Sequence, residues 1–371
     1  MERTIDECFF QIQNGANIKQ GVVDGGFPIT RIETTANDKF NRDRMGYAGI
    51  TDLDKYESYV LEDGDLLMSH INSVQYLGRT ILYEKQDDET IIHGMNLLRL
   101  KARRDIINPA YARYCFYANP FRSQVANITK KSVNQASFAV NDLKKIKISV
   151  PDIEEQNIVV DKLDIIRKII EQRYEELEQL DNLIKARFVE MFGDPITNTK
   201  GLKTSALKDT LVLKAGDFTA ASDISDEQTE TNPYPCYGGN GIRGYVAEYN
   251  QEGEYSLVGR QGALSGNVQF ANGKFKNTEH ALLVTPIVEM NNIWLNQLLL
   301  NLDLKRYQTG AAQPGLSVKN LQEIPIIMVH IDEQNRFADF VKQVDKSKVV
   351  VKKALDEAQI LFDSLMQEYF G

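Results

Sequence analysis

The sequence predicts an α+β protein: two mixed, strand-rich heads separated by two long helical repeats that pair as an antiparallel coiled coil. Three observations predict it. First, the chain repeats itself. Residues 135–193 align without a gap on residues 313–371 at a constant offset of 178, and 16 of the 59 aligned positions are identical. The identities include Val140/Val318, Leu143/Leu321, Ile146/Ile324, Ile153/Ile331, the Glu155-Gln156-Asn157/Glu333-Gln334-Asn335 triplets and the closing Phe192-Gly193/Phe370-Gly371. Self-similarity of this length marks two copies of one structural unit. Second, each copy carries apolar residues at three- and four-residue spacing with charges between them, the pattern of an amphipathic helix. Third, the segments before the copies, 1–134 and 194–312, are nearly unrelated in sequence. Yet each runs through strand-like stretches, a short helix and a polar loop.

These observations divide the chain into a first head (1–150), a central helical spacer (151–195), a second head (196–329) and a C-terminal helical repeat (330–371). In the first head, Phe27–Ile32, Asp65–Met68, Arg79–Tyr83 and Leu97–Leu100 are short apolar runs bounded by turn residues and read as strands. Asn108-Pro109 starts a short helix through Tyr117, since proline is favoured just inside a helix start. The run Ile146–Val150 is a closing strand. The first long helix is expected over 153–191, carried by Ile166, Ile170, Leu177, Leu180, Ile184, Phe188 and Met191. Pro151-Asp152 supplies its start signal and Gly193-Asp194-Pro195 its stop. At 1.5 Å per residue it is about 57 Å long. In the second head, Tyr255–Val258, Gly266–Phe270 and Ala281–Thr285 are strands, Asn292–Leu304 is the short helix and Ile324–Val329 the closing strand. The second long helix is expected over Ile331–Tyr369 with Asp332 as its N-cap. A lone helix of this length with one apolar stripe needs a partner, and the nearest is its own copy. The two are expected to pair antiparallel because each head precedes its own helix.

Composition bounds the function. At 371 residues, 42% hydrophobic and 26% charged, the chain has the make-up of a soluble globular protein of two or more domains. No apolar run approaches the ~20 residues of a membrane helix, and Met1-Glu-Arg-Thr-Ile-Asp6 is not the opening of a secretory signal. Cys8, Cys115 and Cys236 are scattered and odd in number, which points to a reducing cytoplasm and idle thiols. The net charge of −9 is unevenly spread: +1 over 1–150, −5 over 151–193, −3 over 194–328 and −2 over 329–371. The repeats hold seven of the nine excess negative charges. The nearly neutral heads remain free to present a basic face.

Catalytic signatures are missing. No glycine-rich loop ends in the Lys-Ser/Thr of a P-loop. His70, His93, His280 and His330 lack metal-ligand spacing, and no Ser or Cys sits in a nucleophile elbow. Asn108-Pro-Ala-Tyr111 superficially matches the Asn-Pro-Pro-Tyr/Phe of adenine methyltransferases, but its third residue differs and no cofactor loop precedes it. The second head carries Tyr234-Pro-Cys-Tyr-Gly-Gly-Asn-Gly-Ile-Arg-Gly-Tyr245, Arg260-Gln-Gly-Ala-Leu-Ser-Gly-Asn267 and Phe275-Lys-Asn-Thr-Glu-His-Ala281. Glycine-rich backbone approaches a phosphate or groove closely, and Arg, Lys, Gln and Asn side chains suit base edges and phosphates. The DNA-contact candidates here are Tyr237, Asn240, Arg243, Tyr245, Arg260, Gln261, Ser265, Asn267, Lys276 and His280. In the first head they are Arg42, Arg44, Ser69, His70, Asn72 and Arg79. The matched polar loops before each repeat add Lys130, Lys131 and Gln135 in one half and Gln313 in the other. The competing reading is that these segments are turns of a β-rich domain with solvated polar tips.

Taken together, these motifs resemble the specificity subunits of type I restriction–modification systems, over essentially the whole chain. Tyr237-Gly-Gly-Asn-Gly-Ile-Arg-Gly244, Gly259-Arg-Gln-Gly-Ala263 and Glu279-His280-Ala281 look like one class of target-recognition domain. The units Gln135…Ile153-Glu-Glu-Gln-Asn157 and Gln313…Ile331-Asp-Glu-Gln-Asn335 look like entries to the helical repeats, and Arg187–Pro195 like the exit from the central one. The first head departs from the pattern: it lacks the Trp-containing opening, and its loops belong to another class. The resemblance implies a subunit without catalysis of its own. Each head would read one half of a split double-stranded DNA target, and the helices would fix the gap and dock two modification subunits. Restriction subunits would join them. S-adenosylmethionine, ATP and magnesium would then sit on those partners, with none in this chain. An enzyme in its own right, a scaffold whose heads bind proteins or glycans, and a subunit of a methylation-only system are the alternatives.

Overall fold

The computed structural model describes residues 1–18, 25–133, 135–262, 264–309 and 315–371. It divides into two compact units, residues 1–172 with 355–371, and residues 173–354. These units cut across the four-part division by sequence. Each takes one head, the start of the long helix that follows it, and the end of the other long helix.

In the first unit the main sheet is antiparallel, with strands in the order Phe9–Asn14, Leu97–Ala102, Leu66–Ser69, Thr80–Leu82. Successive side chains of a strand point to opposite faces, and here both faces are covered. Leu66, Met68, Leu98 and Leu100 join the core under the helix Pro109–Tyr117, while Leu67, Ile81 and Leu97 join a second cluster with Leu61, Tyr83 and Ile91. A satellite hairpin, Pro28–Ile29 with Gly46–Tyr47, lies beside Ile92 in parallel register. Glu2–Thr4 pairs with Lys147–Ser149 and ties the start of the chain to the entry of the first long helix.

The second unit is built the same way. Its main sheet runs Leu211–Ala215, Ala281–Pro286, Tyr255–Gly259, Val268–Ala271, the same order and the same antiparallel sense. Its satellite hairpin is Tyr234–Gly238 with Gly241–Val246, flanked in parallel by Lys274–Asn277. Its tie is Thr204–Ala206 with Pro325–Ile327. The heads therefore share one topology although their sequences have diverged.

The long helices span Ile153–Phe192 and Ile331–Phe370, 40 residues each. In the first unit, Val159, Val160 and Leu163 of one helix and Met366 and Phe370 of the other enter a single core; the Phe370 ring sits 5.1 Å from that of Tyr111. In the second unit, Ile184, Phe188 and Phe192 meet Phe337, Val341 and Val344 around the buried Trp294. There the pairs Asp181–Lys348 (2.6 Å), Arg187–Phe340 and Phe188–Phe337 fall on one helix as they rise on the other, so the two run antiparallel. No helix among the described residues is long and apolar enough to cross a membrane.

Four details differ from the sequence reading. Asp332 is not the N-cap of the second helix: His330 holds that place, 178 residues after Asp152, and its Nδ1 accepts the Asp332 N–H. The run Phe27–Ile32 is a strand only at Pro28–Ile29 and then turns into a 3-10 helix, Ile32–Asp38. The short helix from Asn292 stops at Asn301, and Leu304–Tyr307 is a separate 3-10 turn. The edge strands Phe9–Asn14 and Leu211–Ala215 and the helix Asn119–Ile128 were not foreseen.

The identical Glu-Gln-Asn triplets explain how each head is fixed to its helix. Gln156 is fully buried. Its Oε1 accepts the Asn108 N–H at 2.8 Å, and its Nε2 donates to the Ile106 and Pro151 carbonyls. The Asn108 Nδ2 donates to Asn157 Oδ1 at 2.8 Å while the Asn108 Oδ1 caps the short helix at Ala110. The second unit repeats the arrangement: Asn291 N–H to Gln334 Oε1, Asn291 Nδ2 to Asn335 Oδ1 and Gln334 Nε2 to the Val329 carbonyl, each at 2.8 Å. Asn108-Pro109 is thus one half of a clamp. Replacing either glutamine with alanine strands a buried amide N–H and a carbonyl, and each such orphan costs about 1–3 kcal/mol. We expect Gln156→Ala and Gln334→Ala each to lower the urea midpoint of unfolding of the unit that carries it. An unchanged midpoint for both would show that the clamp contributes no stability.

Candidate nucleic-acid interface

Apart from Lys276 and His280, on and after the flanking strand Lys274–Asn277, the described candidate residues gather on three topologically equivalent places in each unit. One is the connection across the satellite hairpin. In the second unit it is the tight glycine turn between Tyr234–Gly238 and Gly241–Val246, with Asn240 exposed at its tip and Arg243 exposed on the strand beyond. In the first unit the same connection is longer, runs through two 3-10 turns, and carries Arg42 and Arg44. The two connections share no sequence pattern, since one is a three-glycine turn, Gly-Gly-Asn-Gly, and the other a polar excursion.

The next place is the loop leaving the third strand of the main sheet, Ser69–Arg79 in the first unit and Arg260–Asn267 in the second. The last is the polar hairpin before the repeat. In the first unit Lys130–Lys131 pairs with Ala136–Ser137, which pairs in turn with Ile71–Asn72. In the second, Thr309 and Gln261 each bridge to Gly315. The hydrogen bonds correspond residue by residue at the offset of the repeat: Phe138 N–H donates to the His70 carbonyl, and Leu316 N–H to that of Arg260. Gln313 lies outside the described residues.

The satellite connection also touches the loop beside it. In the second unit Asn267 Nδ2 donates to Asn240 Oδ1 at 3.1 Å, and the backbones of Gly239 and Gly259 approach so closely that a side chain at Gly259 would collide with the Gly239 carbonyl. In the first unit Arg79 reaches Asp38 of the satellite connection at 3.7 Å and lies over the Tyr76 ring. Glycine is required at the second-unit contact because the loops pack backbone to backbone.

Within this frame the candidates separate by what their side chains touch. Asn240, Gln261, Arg44, Lys130, Lys131 and Gln135 are exposed. Arg260 is half-buried, with its backbone held by the His280 carbonyl and Leu316. Lys276 is half-buried in register with Cys236, Tyr245 is held through backbone bonds to Ser225, and His280 pairs with Glu279 at 3.1 Å. Tyr237 packs edge-on against Phe275 in the satellite core. Asn72 is engaged with Ser69 and the Ser73 N–H.

Ser69, His70 and Ser265 are buried, which removes their side chains from direct contact with a ligand. They close the ends of the main-sheet strands instead. Burial pushes the His70 imidazole down to about 4, so it is neutral at physiological pH. Arg42 is committed as well. Its Nε and Nη2 grip Glu89 at 2.9 and 2.6 Å, and a further bond goes to the Glu84 carbonyl. Its role is to hold the satellite connection to the strand beside it.

Residues that the sequence reading did not select share the surface. Arg122, on the unforeseen helix Asn119–Ile128, donates to the Gln75 carbonyl. Lys305 and Arg306 are exposed on the 3-10 turn behind the Arg260–Asn267 loop, and Gln308 donates to the Ser265 carbonyl. The available signals were the second Asn-Pro start at Asn119-Pro120 and the basic-aromatic Lys305-Arg-Tyr307. Among the described residues no cluster of His, Cys, Asp or Glu is arranged to hold a metal.

The family described as type I restriction modification DNA specificity domain matches residues 2–179 and 200–358. The EcoprrI specificity subunit of Escherichia coli is 41% identical over 143 residues, covering 38% of this chain and 36% of that protein. The putative MjaX specificity subunit of Methanocaldococcus jannaschii is 32% identical over 205 residues, 55% of this chain and 48% of that protein. The chain thus spans between about a third and a half of the length of these relatives. The crystal structure of the type I restriction–modification S subunit from M. genitalium superposes with a TM-score of 0.64 at 16% identity, covering 100% of this chain and 96% of that one. A chain from a study of type I R-M complex assembly and conformational transition gives 0.54 at 16% identity, with coverage of 100% and 97%. At this identity both establish the fold.

The Arg42–Glu89 pair yields a prediction. Arg42, with help from the Gln86 N–H and Tyr83 hydroxyl, holds the Glu89 carboxyl down at about 2. A depressed folded pKa contributes stability above the unfolded value, near 4.5, that is lost as pH falls through the folded value. Arg42→Ala should lower the melting temperature at pH 7, with the gap from the native chain closing between about pH 4.5 and 2. A gap constant across that range would show that the pair contributes no pH-linked stability.

Proposed function

The chain belongs to the type I restriction modification DNA specificity family, and from that premise we propose that it is the specificity subunit of a type I complex, each head reading one half of a split DNA target. One observation carries the reading. Two heads of the same topology present their divergent polar residues on the same three connections, while the clamp beneath repeats three of its bonds at equivalent residues. That is the arrangement of one scaffold carrying two different readers. A scaffold with protein-binding heads needs no such matched pair of polar loops.

In this reading Asn240, Arg243, Arg260, Gln261 and Asn267 serve one half-site, and Arg44, Lys130, Lys131 and Gln135 the other. Side-chain amides and guanidinia supply base-edge contacts, and lysines supply phosphate contacts. The long helices set the gap between half-sites and dock two modification subunits, which carry S-adenosylmethionine and methylate adenine. Restriction subunits add ATP- and magnesium-dependent cleavage. This chain contributes no reacting group. The acidic charge of the repeats suits protein docking and avoids non-specific attraction to DNA.

Two tests separate the parts of this reading. With the modification subunits bound, Arg260→Ala and Asn240→Ala should cut discrimination at one half-site by about 1–3 kcal/mol each and spare the other half. Gln135→Ala should act on the opposite half. Equal losses at both halves would contradict the assignment of residues to heads. Adding one helical turn, about four residues, to both long helices between Leu163 and Ile184 and between Val341 and Phe362 should change the preferred gap and leave both half-sites as they were. An unchanged gap would contradict the spacing role.

A further inference from the structure

Behind the reading loops the two units hold a second matched feature. The loop of the first unit closes at Gly78, whose N–H donates to the Ser69 carbonyl at 2.8 Å; the loop of the second closes at Gly266, whose N–H donates to the Gly259 carbonyl at 2.7 Å. Both glycines adopt positive φ, +74° and +84°. Each backs directly onto a helical turn that bears basic residues. Gly78 packs on Phe121 and Val125 of the helix that carries Arg122, and Gly266 packs on the backbone of Leu304 and Lys305.

Arg122 and Arg79 lie close enough to repel one another. Burial first, then Arg79, depresses the Arg122 guanidinium below its usual range. Among the described residues Arg122 makes no ion pair; Asp38 pairs with Arg79 at 3.7 Å and acts on Arg122 from farther off. The patch therefore has two cations for one carboxylate, with Gln75 and Tyr76 exposed alongside. In the second unit Lys305 and Arg306 are exposed, and among the described residues neither has a carboxylate partner. Arg306 is only loosely placed over Tyr307. Two heads that have diverged almost completely both keep uncompensated cations at this one topological place.

We propose that Arg122 with Arg79, and Lys305 with Arg306, are equivalent anchors for DNA backbone phosphates, placed behind the base-reading loops to set the depth and register of each head on the duplex. The proposal rests on the DNA-reading function above and adds residues and a role to it. Anchors of this kind carry no sequence information. They add affinity through release of condensed counterions, so each contact contributes about 0.9 to the slope of log K against log salt.

The test uses the complex assembled with its modification subunits, a duplex bearing the split target, and a scrambled duplex of equal length. Affinity is measured between about 50 and 200 mM potassium chloride. We expect Lys305→Gln and Arg122→Gln each to lower the salt slope by about one, so that the affinity lost across this range shrinks about threefold per variant, equally for both duplexes. Lys305→Arg and Arg122→Lys should restore the slope. Lys305 is exposed, so its variant keeps the test decisive if Arg122→Gln unfolds. An unchanged slope, or a loss seen with the target duplex alone, overturns the anchors and leaves the reading function standing. Weaker assembly of the variants with modification subunits, with the slope of the complex that does form unchanged, would mean that these cations grip an acidic protein surface instead. A native complex that binds neither duplex would overturn both the anchors and the reading function.

Discussion

The structure depends on a buried glutamine at the first turn of each long helix. A recognition head is of use to a helix only if the two keep one orientation, and a surface of leucines and phenylalanines does not enforce one. Apolar contact is non-directional. Hydrogen bonds are directional, and a buried amide left without a partner is costly. Gln156 and Gln334 use this. Each spends its carbonyl on the capping asparagine of the short helix and its amide on the turn that enters the long helix, in a site closed to water. Any rotation of head against helix breaks several of these bonds together. This accounts for the Gln-Asn pair being identical in two copies that share only 16 of 59 residues.

The packing beyond the clamp follows from the same repeat. The start of each helix serves its own head: Val159 and Leu163 in one unit correspond at the offset of 178 to Phe337 and Val341 in the other. The end of each helix serves the other head: Ile184, Phe188 and Phe192 correspond to Phe362, Met366 and Phe370. Both ends of each stripe thus have a defined place in a core, and the antiparallel pairing is built into the second unit. Over this fixed frame the connections are free to vary. One satellite turn has shrunk to Gly-Gly-Asn-Gly and its counterpart has grown into two 3-10 turns held down by Arg42, with no change in the order of strands beneath.

The helices were legible in the sequence because 40 residues of apolar spacing leave no other solution. Their ends were less so. Asp332 has the chemistry of a cap, whereas the cap sits at His330, where the repeat places it. The inner strands were legible as short, fully apolar runs such as Leu66–Met68 and Ala281–Val284. The edge strand Phe9–Asn14 was not, because only Phe9 of its residues is fully buried and its short Phe-Gln-Ile-Gln alternation is bounded by no turn signal. At the candidate interface the glycine-rich loops were visible as motifs. The burial of Ser69, His70 and Ser265 was not, since it is decided by the strand ends they close. Nor were Arg122 and Lys305, whose proximity to those loops exists only after the sheet has formed. The equivalence of the two heads was only hinted at by sequence and rests on hydrogen-bond register.

The central claim is that two heads of one construction read two different half-sites. It is tested most directly by co-expressing the chain with a modification subunit in a host that lacks its own system and mapping methylated adenines across the genome. The account predicts a single bipartite motif, two unlike half-sites with a constant gap. Methylation at a short unsplit motif, or at half-sites with no fixed gap, would contradict it.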